Sequence, residues 1–271
     1  MTSQSNSGEA NFVEANFGEA NFVGSQLESL RRSAPASLVE EVGLGTGLVD
    51  GYTVVPSPVG ALVVAFNPGG VSAVDLADEG FMDRFQARFA RSLVPARPPD
   101  LWANRIEDAL ERGRPGRLPI DFRSVTPFQQ RILKVAATIP RGQVRPYSWI
   151  ARAVGVPGAA RAVGSTMARN PVPLIVPCHR VIRSDGTIGN YSLGGPHNKW
   201  NLLSFEGAEP ERIESIAAAG VRLLGSDATR IYCFPTCRRA RAIPEAHARR
   251  FRSAHQAESV GFRPCGVCRP G

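Results

Sequence analysis

Residues 170–181 read Asn-Pro-Val-Pro-Leu-Ile-Val-Pro-Cys-His-Arg-Val, an apolar run that prolines bound at both ends and that leads into a cysteine and a histidine. A cysteine reacts as the thiolate, so an adjacent imidazole and guanidinium favour nucleophilic chemistry at Cys178. A lone cysteine in an apolar run is more often a small buried hydrophobic residue. The rigid backbone, the neighbouring His179 and the later Glu206 favour a thiol–imidazole–carboxylate relay instead. Neighbours on an extended strand point to opposite sides, so this relay needs a turn or a bridging water.

Length and composition predict a globular protein of several domains. The chain has 271 residues, of which 43% are hydrophobic, enough for two or three compact domains. It contains no run of 18 uncharged apolar residues, so we expect no membrane span. The first 25 residues lack both a basic region and an apolar stretch typical of export signals. We therefore expect a cytoplasmic protein.

The positive charge is concentrated in the second half of the chain. Residues 121–210 carry 11 Lys and Arg against 4 Asp and Glu, and residues 211–271 carry 11 against 5. Such a distribution favours a polyanionic partner such as nucleic acid. The alternative is an ordinary solvated surface with a strong arginine bias, since the chain has 30 Arg and only 2 Lys.

Four of the five cysteines form two close pairs near the end of the chain. They are Cys233, Cys237, Cys265 and Cys268, a Cys-x-x-x-Cys followed by a Cys-x-x-Cys. In a reducing compartment this spacing indicates a metal site rather than a disulfide framework. Four thiolates suit both zinc and iron–sulfur clusters, and we predict zinc, which would organise a segment with little apolar content.

The pattern along the chain divides it into four regions. Residues 1–37 contain Ala-Asn-Phe repeats and read as a disordered tail. Residues 38–120 read as an α/β domain, with apolar runs at 52–55, 61–66 and 71–76 and an Asn-Pro-Gly-Gly turn at 67–70. A helix follows in which Phe81, Phe85, Phe89 and Leu93 share one face as core residues. Residues 121–210 form the predicted catalytic domain and residues 211–271 a C-terminal module.

Helix signals are strongest at the start of the catalytic domain. In Thr126-Pro127-Phe128-Gln129, the threonine can cap, the proline suits the first helical position and the glutamine completes a capping box, for a helix ending near residue 139. Shorter helices are predicted at about 147–154 and 159–168, with a tight Gly-containing turn between them. Such a pair in a basic segment is typical of a DNA-binding helix-turn-helix, although many helical hairpins are only scaffold.

Three motifs resemble the active-site region of the O6-alkylguanine-DNA alkyltransferases. They are the run at 170–181, Ala160-Arg161-Ala-Val-Gly164 before it, and Gly189-Asn-Tyr-Ser192 after it, within a likeness over about residues 50–207. The resemblance implies a ribonuclease H-like α/β domain followed by a winged helix-turn-helix-like catalytic domain. It also implies single-turnover repair by a monomer that acts on double-stranded DNA carrying O6-alkylguanine.

The same resemblance implies a role for each site residue. Cys178 would accept the alkyl group, His179 would act as a base through water, and Glu206 would orient His179. Asn170 would hold the active-site turn, and Tyr147 would donate a proton to the departing base. The damaged nucleotide must leave the stack, and the implied contacts to the DNA and the flipped base are Arg161, Ala159, Ala160, Pro173, Val181 and Ser192.

The stretches around the paired cysteines resemble the metal-binding domain of the Ada adaptive-response proteins. In that family the first cysteine, here Cys233, is both zinc ligand and acceptor of methyl from DNA phosphotriesters. The alternative is a zinc module that only grips DNA, and Phe234 stands where the family commonly has an arginine. In the alkyltransferase-like part of the chain, residues 191–195 carry one extra residue, Leu193, relative to the commoner Tyr-Ser-Gly-Gly form. The resemblance therefore does not fix the shape of the loop over the guanine pocket.

Two other functions compete with repair. A non-catalytic lesion sensor would lack the acceptor, and the presence of Cys178 argues against it. A Cys-His hydrolase would need an oxyanion site and a second half-reaction, and the sequence offers neither. We therefore predict a single-turnover DNA repair methyltransferase.

Overall fold

The structure, a computed structural model, describes residues 36–271. The tail prediction and the Ala-Asn-Phe repeats lie outside the described residues. Residues 42–271 form one compact unit. The first described element is helix α1, Ala36–Thr46. Within residues 36–271, no helix has the length and apolar character needed to cross a membrane.

A four-stranded sheet follows, formed by β1 (Val49–Val55), β2 (Leu62–Asn67), β3 (Gly70–Leu76) and β4 (Ser92–Pro95) in the order β3-β2-β1-β4. The first three strands are the predicted antiparallel meander, and β4 lies parallel to β1. The turn before β3 requires glycine, because a Cβ on Gly70 would lie 2.5 Å from the Pro119 carbonyl, at φ +130.

Strand β2 is buried along its whole length because both faces of the sheet are covered. Leu62 and Val64 face the main core, whereas Val63 and Ala65 face a smaller cluster around helix α2 (Phe81–Phe89). The predicted helical face, which ran on to Leu93, is one turn longer than helix α2. Ala90 adopts a left-handed conformation (φ 52) that ends the helix, so the expected fourth member of the face lies on β4 and reaches the same cluster from there.

Three helices and two short strands follow α3 (Asp100–Arg112). Helix α4 (Pro127–Ala136) begins with the predicted capping box and ends three residues before the expected position. Helices α5 (Tyr147–Ala153) and α6 (Ala160–Ala168) form the predicted pair. Strands β5 (Arg145–Pro146) and β6 (Val181–Ile182) pair in parallel, so the start of α5 lies beside the end of the cysteine motif. Helices α7 (Gly195–Phe205) and α8 (Pro210–Ala218) follow.

The C-terminal module contains a second four-stranded sheet. Its strands are β7 (Leu223–Ser226), β8 (Ile231–Cys233), β9 (Ala248–Phe251) and β10 (Arg263–Pro264), in the order β10-β8-β7-β9. Two short helices, α9 (Arg238–Arg241) and α10 (Ala254–Ser259), complete it. The four paired cysteines lie in the core of this module.

Candidate active site and metal centre

A single 3-10 turn, Cys178–Arg180, sends three consecutive side chains in different directions. This turn supplies the geometry that an extended strand could not, because Cys178 now meets Asn170 while His179 meets Glu206. All ten residues from 171 to 180 are buried. Core residues thus surround the turn, and their packing fixes the position of the Cys178 thiol.

The Cys178 residue is 3% exposed, and its thiol accepts a hydrogen bond from Asn170. Asn170 donates from Nδ2 to the Cys178 sulfur at 3.2 Å and to the Val176 carbonyl at 2.8 Å, and its Oδ1 accepts from the Val172 amide. Burial raises the pKa of the Cys178 thiol, and the hydrogen bond from Asn170 opposes that rise. The thiol is therefore protonated at neutral pH and needs a base when it reacts.

His179 and Glu206 form a buried pair. The His179 Nε2 lies 2.9 Å from Glu206 Oε1, and the other ring nitrogen, Nδ1, is buried without a hydrogen-bond partner in the described part of the chain. Burial lowers the pKa of His179 despite the opposing effect of Glu206, so the ring is neutral. A buried polar atom without a protein partner is a position where an ordered water can bind. Here that water would pass a proton to the His179 ring.

The carboxylate of Glu206 is the electrostatic centre of the site. Burial alone would raise its pKa, but hydrogen bonds from His179 and Arg180 outweigh burial and hold the pKa at about 2. A further bond comes from the Gly142 amide at 3.1 Å. The carboxylate is thus ionised and fixed, as an orienting group for the histidine must be.

The guanidinium of Arg180 does not assist the thiol as the sequence interpretation expected. It is fully buried and donates to Glu206 from Nη2 at 2.7 Å and to three backbone carbonyls, those of Arg112, Gly113 and Ile139. The expectation that this guanidinium lies beside the thiol was wrong, because the 3-10 turn directs the Arg180 side chain away from Cys178. Arg180 therefore anchors the carboxylate of the relay to the end of α3.

A cavity of about 330 Å³ opens onto Cys178. Its size is that of a small-ligand pocket. Burial raises the pKa of Tyr147, so the phenol at its rim is protonated at neutral pH. The lining residues are Tyr147, Gly164, Met167, Ala168, Cys178, Arg183, Asn190, Tyr191 and Ser192.

The cavity brings together only some of the predicted contacts to the base and the DNA. Ser192 lines it, whereas Pro173 and Val181 are buried and are not among its lining residues. Arg161 is exposed on α6, three residues before Gly164 and hence on the same side of the helix as the cavity.

Two small residues lie at the start of α6, directly after the turn from α5. Ala159 caps α6 and Ala160 begins it, and both are partly exposed. The extra residue Leu193 is buried in the main core, which ties down the loop over the cavity. The roles of all these residues stay predictions.

Sequence reasoning missed the buried lysine behind the site. Lys199 is completely buried on α7 and donates from Nζ to the Val181 and Ile188 carbonyls at 2.7 Å each. Burial lowers its pKa to about 8, while Cys178 opposes that fall. The sequence did offer a signal, because Lys199 is one of only 2 lysines in an arginine-rich chain.

The paired cysteines form a compact metal site. Their four sulfurs lie within 4.8 Å of one another, all four residues are buried, and none forms a disulfide. A tetrahedral zinc ion with Zn–S bonds of about 2.3 Å places its sulfurs about 3.8 Å apart, so the arrangement fits zinc. The metal-ligand residues predicted from the sequence are the ones that meet: Cys233, Cys237, Cys265 and Cys268.

Comparison with known families agrees with both parts of this description. Residues 127–208 match the DNA-binding domain of 6-O-methylguanine DNA methyltransferase, and residues 214–271 match the metal-binding domain of Ada. Both matches lie in one polypeptide. The metal of the C-terminal module is zinc.

Individual curated relatives match a part of this chain. The bifunctional transcriptional activator/DNA repair enzyme Ada of Escherichia coli K12 is 35% identical over 176 residues, 62% of this chain and 48% of that protein. The methylated-DNA–protein-cysteine methyltransferase of Mycobacterium leprae is 52% identical over 81 residues, 30% of this chain and 48% of that protein. The chain thus spans about half the length of these curated relatives.

Among solved structures, the Mycobacterium tuberculosis OGT in complex with DNA matches with a TM-score of 0.48 and 33% identity. This match covers 58% of the present chain and 93% of that structure.

Proposed function

We propose that this protein repairs DNA by transferring the alkyl group of O6-alkylguanine to Cys178, once per molecule. The observation that carries the proposal is the joint geometry of the cavity and the relay. A buried thiol faces a cavity large enough for a base, and beside it lies a neutral histidine with one ring nitrogen free of any protein partner in the described chain. The names of the related proteins support the same activity.

The relay would activate the thiol only when a substrate is present. The Cys178 proton passes through a water at His179 Nδ1 to the ring, and the ionised Glu206 stabilises the imidazolium that forms. The pKa of the free thiol is raised by burial, so little thiolate accumulates beforehand. This arrangement protects the acceptor from unrelated electrophiles until the base is seated.

The transfer is a single displacement. The sulfur of Cys178 forms a bond to the alkyl carbon as the bond from that carbon to guanine O6 breaks, and the electron pair of the broken bond goes to the guanine. The Tyr147 hydroxyl, at the rim of the cavity, donates a proton to the departing base. The proton held by His179 later restores the phenol. A thioether has no further leaving group, so the protein acts once.

The DNA would be recognised by the α5–α6 pair as a helix-turn-helix of winged type, with double-stranded DNA as the partner. Support comes from the basic charge of residues 121–210 and from Arg161, exposed beside the cavity, which would fill the gap left by the flipped nucleotide. The small side chains at 159 and 160 allow close approach to the minor groove.

We further propose a ribonuclease H-like architecture for residues 38–120, supported by the strand order β3-β2-β1-β4 with β4 parallel to β1. We also propose that the domains span residues 38–120, 121–210 and 211–271, and that the protein is a monomer. A reducing compartment that holds DNA suits five cysteines that form no disulfide, so we place the protein in the cytoplasm.

A labelling experiment tests the acceptor. The zinc-loaded protein is incubated with a duplex that carries one radiolabelled O6-methylguanine, digested, and the labelled peptide is identified. We expect one equivalent of label on the Cys178 peptide and none after Cys178→Ala. If the variant still removes the methyl group, the assignment is wrong. A wild-type protein that binds the lesion without acquiring label would be a non-catalytic sensor.

The same digest tests Cys233 as a second acceptor when the DNA carries methylphosphotriesters. The resemblance to Ada favours this activity, whereas the burial of Cys233, which is 1% exposed, favours a module that only supports DNA binding. Label on Cys233 establishes a second repair centre. Label confined to Cys178 leaves the C-terminal module a binding element.

A further inference from the structure

The segment 142–149, which joins α4 to α5, lies between the relay and the C-terminal module. On the relay side, the Gly142 amide donates to Glu206, and Arg145 pairs in register with Val181. Tyr147, at the rim of the cavity, belongs to the same segment. A displacement of this segment therefore changes the position of two groups that the proposed reaction uses.

The C-terminal module holds the opposite side of this segment through hydrogen bonds with Thr236, Arg241 and the Cys268 carbonyl. Thr236, which precedes a ligand cysteine, accepts from the Val144 amide at 2.9 Å through its hydroxyl. Arg241 donates to the Gly142 carbonyl. The Trp149 indole donates to the Cys268 carbonyl at 3.0 Å, and its ring packs in the main core and against the core of the module.

Within this interface lies a buried arginine without a carboxylate partner. Arg145 is 2% exposed, and its guanidinium donates to the Val144 carbonyl at 2.8 Å and to the Gln143 side chain at 2.7 Å. It lies over the rings of Trp149 and Phe234, 5.7 and 5.2 Å from their centroids. None of the ion pairs in residues 36–271 includes it.

A buried cation needs a compensating charge, because an isolated one is strongly destabilising. Burial lowers the pKa of Arg145, and the four cysteines, with Cys268 first, oppose that fall and favour the charged guanidinium. Four thiolates around Zn²⁺ leave two net negative charges, which suit a cation contributed by the neighbouring domain. Phe234, which follows the ligand Cys233 in the sequence, places its aromatic ring under the Arg145 guanidinium.

We propose that Arg145 is the counter-charge of the zinc–thiolate cluster, and that through it the zinc-loaded module holds segment 142–149 in the geometry the guanine site needs. The second part rests on the function proposed above. Arg145 is thus a positioning residue, and it links zinc binding in one domain to the placement of Tyr147 and Glu206 in the other. The module then serves repair at Cys178 whatever Cys233 does.

Zinc affinity tests the counter-charge directly on the full-length chain. Competition with a chromophoric chelator is measured for the wild type, Arg145→Met and Arg145→Lys. Removal of an outer-shell partner lowers metal affinity by about 10–100-fold, so we expect that loss for Arg145→Met and a smaller one for Arg145→Lys, which keeps the charge. The matched control is Arg131→Met, because Arg131 also lies over a ring, that of Phe128, but on the exposed surface of α4. Equal affinity of Arg145→Met and the control would overturn the proposal.

Hydrogen exchange of the wild type tests the positioning step without any variant. We expect the amides of 142–149 to exchange faster when zinc is removed, while those of β2 and β3 stay protected, and the single-turnover repair rate to fall in parallel. Unchanged exchange in 142–149 would also overturn the proposal. Neither zinc affinity nor exchange depends on methyl transfer, so a wild-type protein that fails to label Cys178 refutes the proposed function without deciding this one.

Discussion

Replacing Glu206 by glutamine tests how strongly the relay is anchored. The carboxylate is 5% exposed and accepts hydrogen bonds from His179, from Arg180 and from the Gly142 amide. Its pKa is lowered from 4.5 to about 2, which corresponds to about 3 kcal/mol of stabilisation of the charged form in the folded state. An independent estimate agrees, since removal of one partner of a buried ion pair costs about 3–5 kcal/mol.

We therefore expect Glu206→Gln to lower the free energy of unfolding by about 3 kcal/mol. The glutamine keeps the shape of the side chain but leaves the fully buried Arg180 without a counter-charge. Urea denaturation with zinc held saturating, followed by circular dichroism, measures the loss. With a slope near 3 kcal/mol per molar urea for a chain of this size, the midpoint falls by about 1 M.

The control is Glu209→Gln, three residues further along the chain. Its side chain is 56% exposed, and it lies 3.4 Å from Arg212. Exposed pairs contribute up to about 1 kcal/mol, so this variant should unfold close to the wild type. If Glu206→Gln loses no more stability than this control, the reasoning from burial and the lowered pKa is wrong.

The remaining predictions concern the frame of the site. Gly113→Ala should destabilise the protein by at least about 2 kcal/mol more than Gly116→Ala in thermal unfolding. Both glycines have positive φ, but only the Cβ at 113 would lie 2.2 Å from the Arg180 guanidinium; equal shifts in Tm would contradict this. Thr126→Ala should cost about 1 kcal/mol in urea titrations, because it removes the capping box of α4, and an unchanged midpoint would refute the role of the cap. The lowered pKa of Glu206 stabilises the fold above pH 4.5, and this stabilisation is lost as pH falls towards 2. The stability gap between wild type and Glu206→Gln should therefore narrow below pH 4.5, and a constant gap would exclude the carboxylate as its source.

Local features of the fold followed from the sequence where the code is local. The meander, the Asn-Pro-Gly-Gly turn, the capping box at Thr126 and the α5–α6 pair all appear within a few residues of their predicted positions. Each depends on short-range geometry such as a fixed proline φ or a side chain that reaches a nearby amide. Helix ends were less predictable, because Ala90 ends α2 through a left-handed conformation that no local pattern announces.

The sequence by itself also determined the chemistry of the site: one isolated cysteine beside a histidine, and four paired cysteines whose spacing suits zinc. Only the tertiary structure decided which charges meet. It pairs Arg180 with a carboxylate 26 residues away rather than with the adjacent thiol, and it buries Arg145 against the module that carries the zinc ligands. These partners are set by packing between elements distant in the chain. Whether a buried charge is stabilised depends on its neighbours in space, which residue type and spacing do not specify.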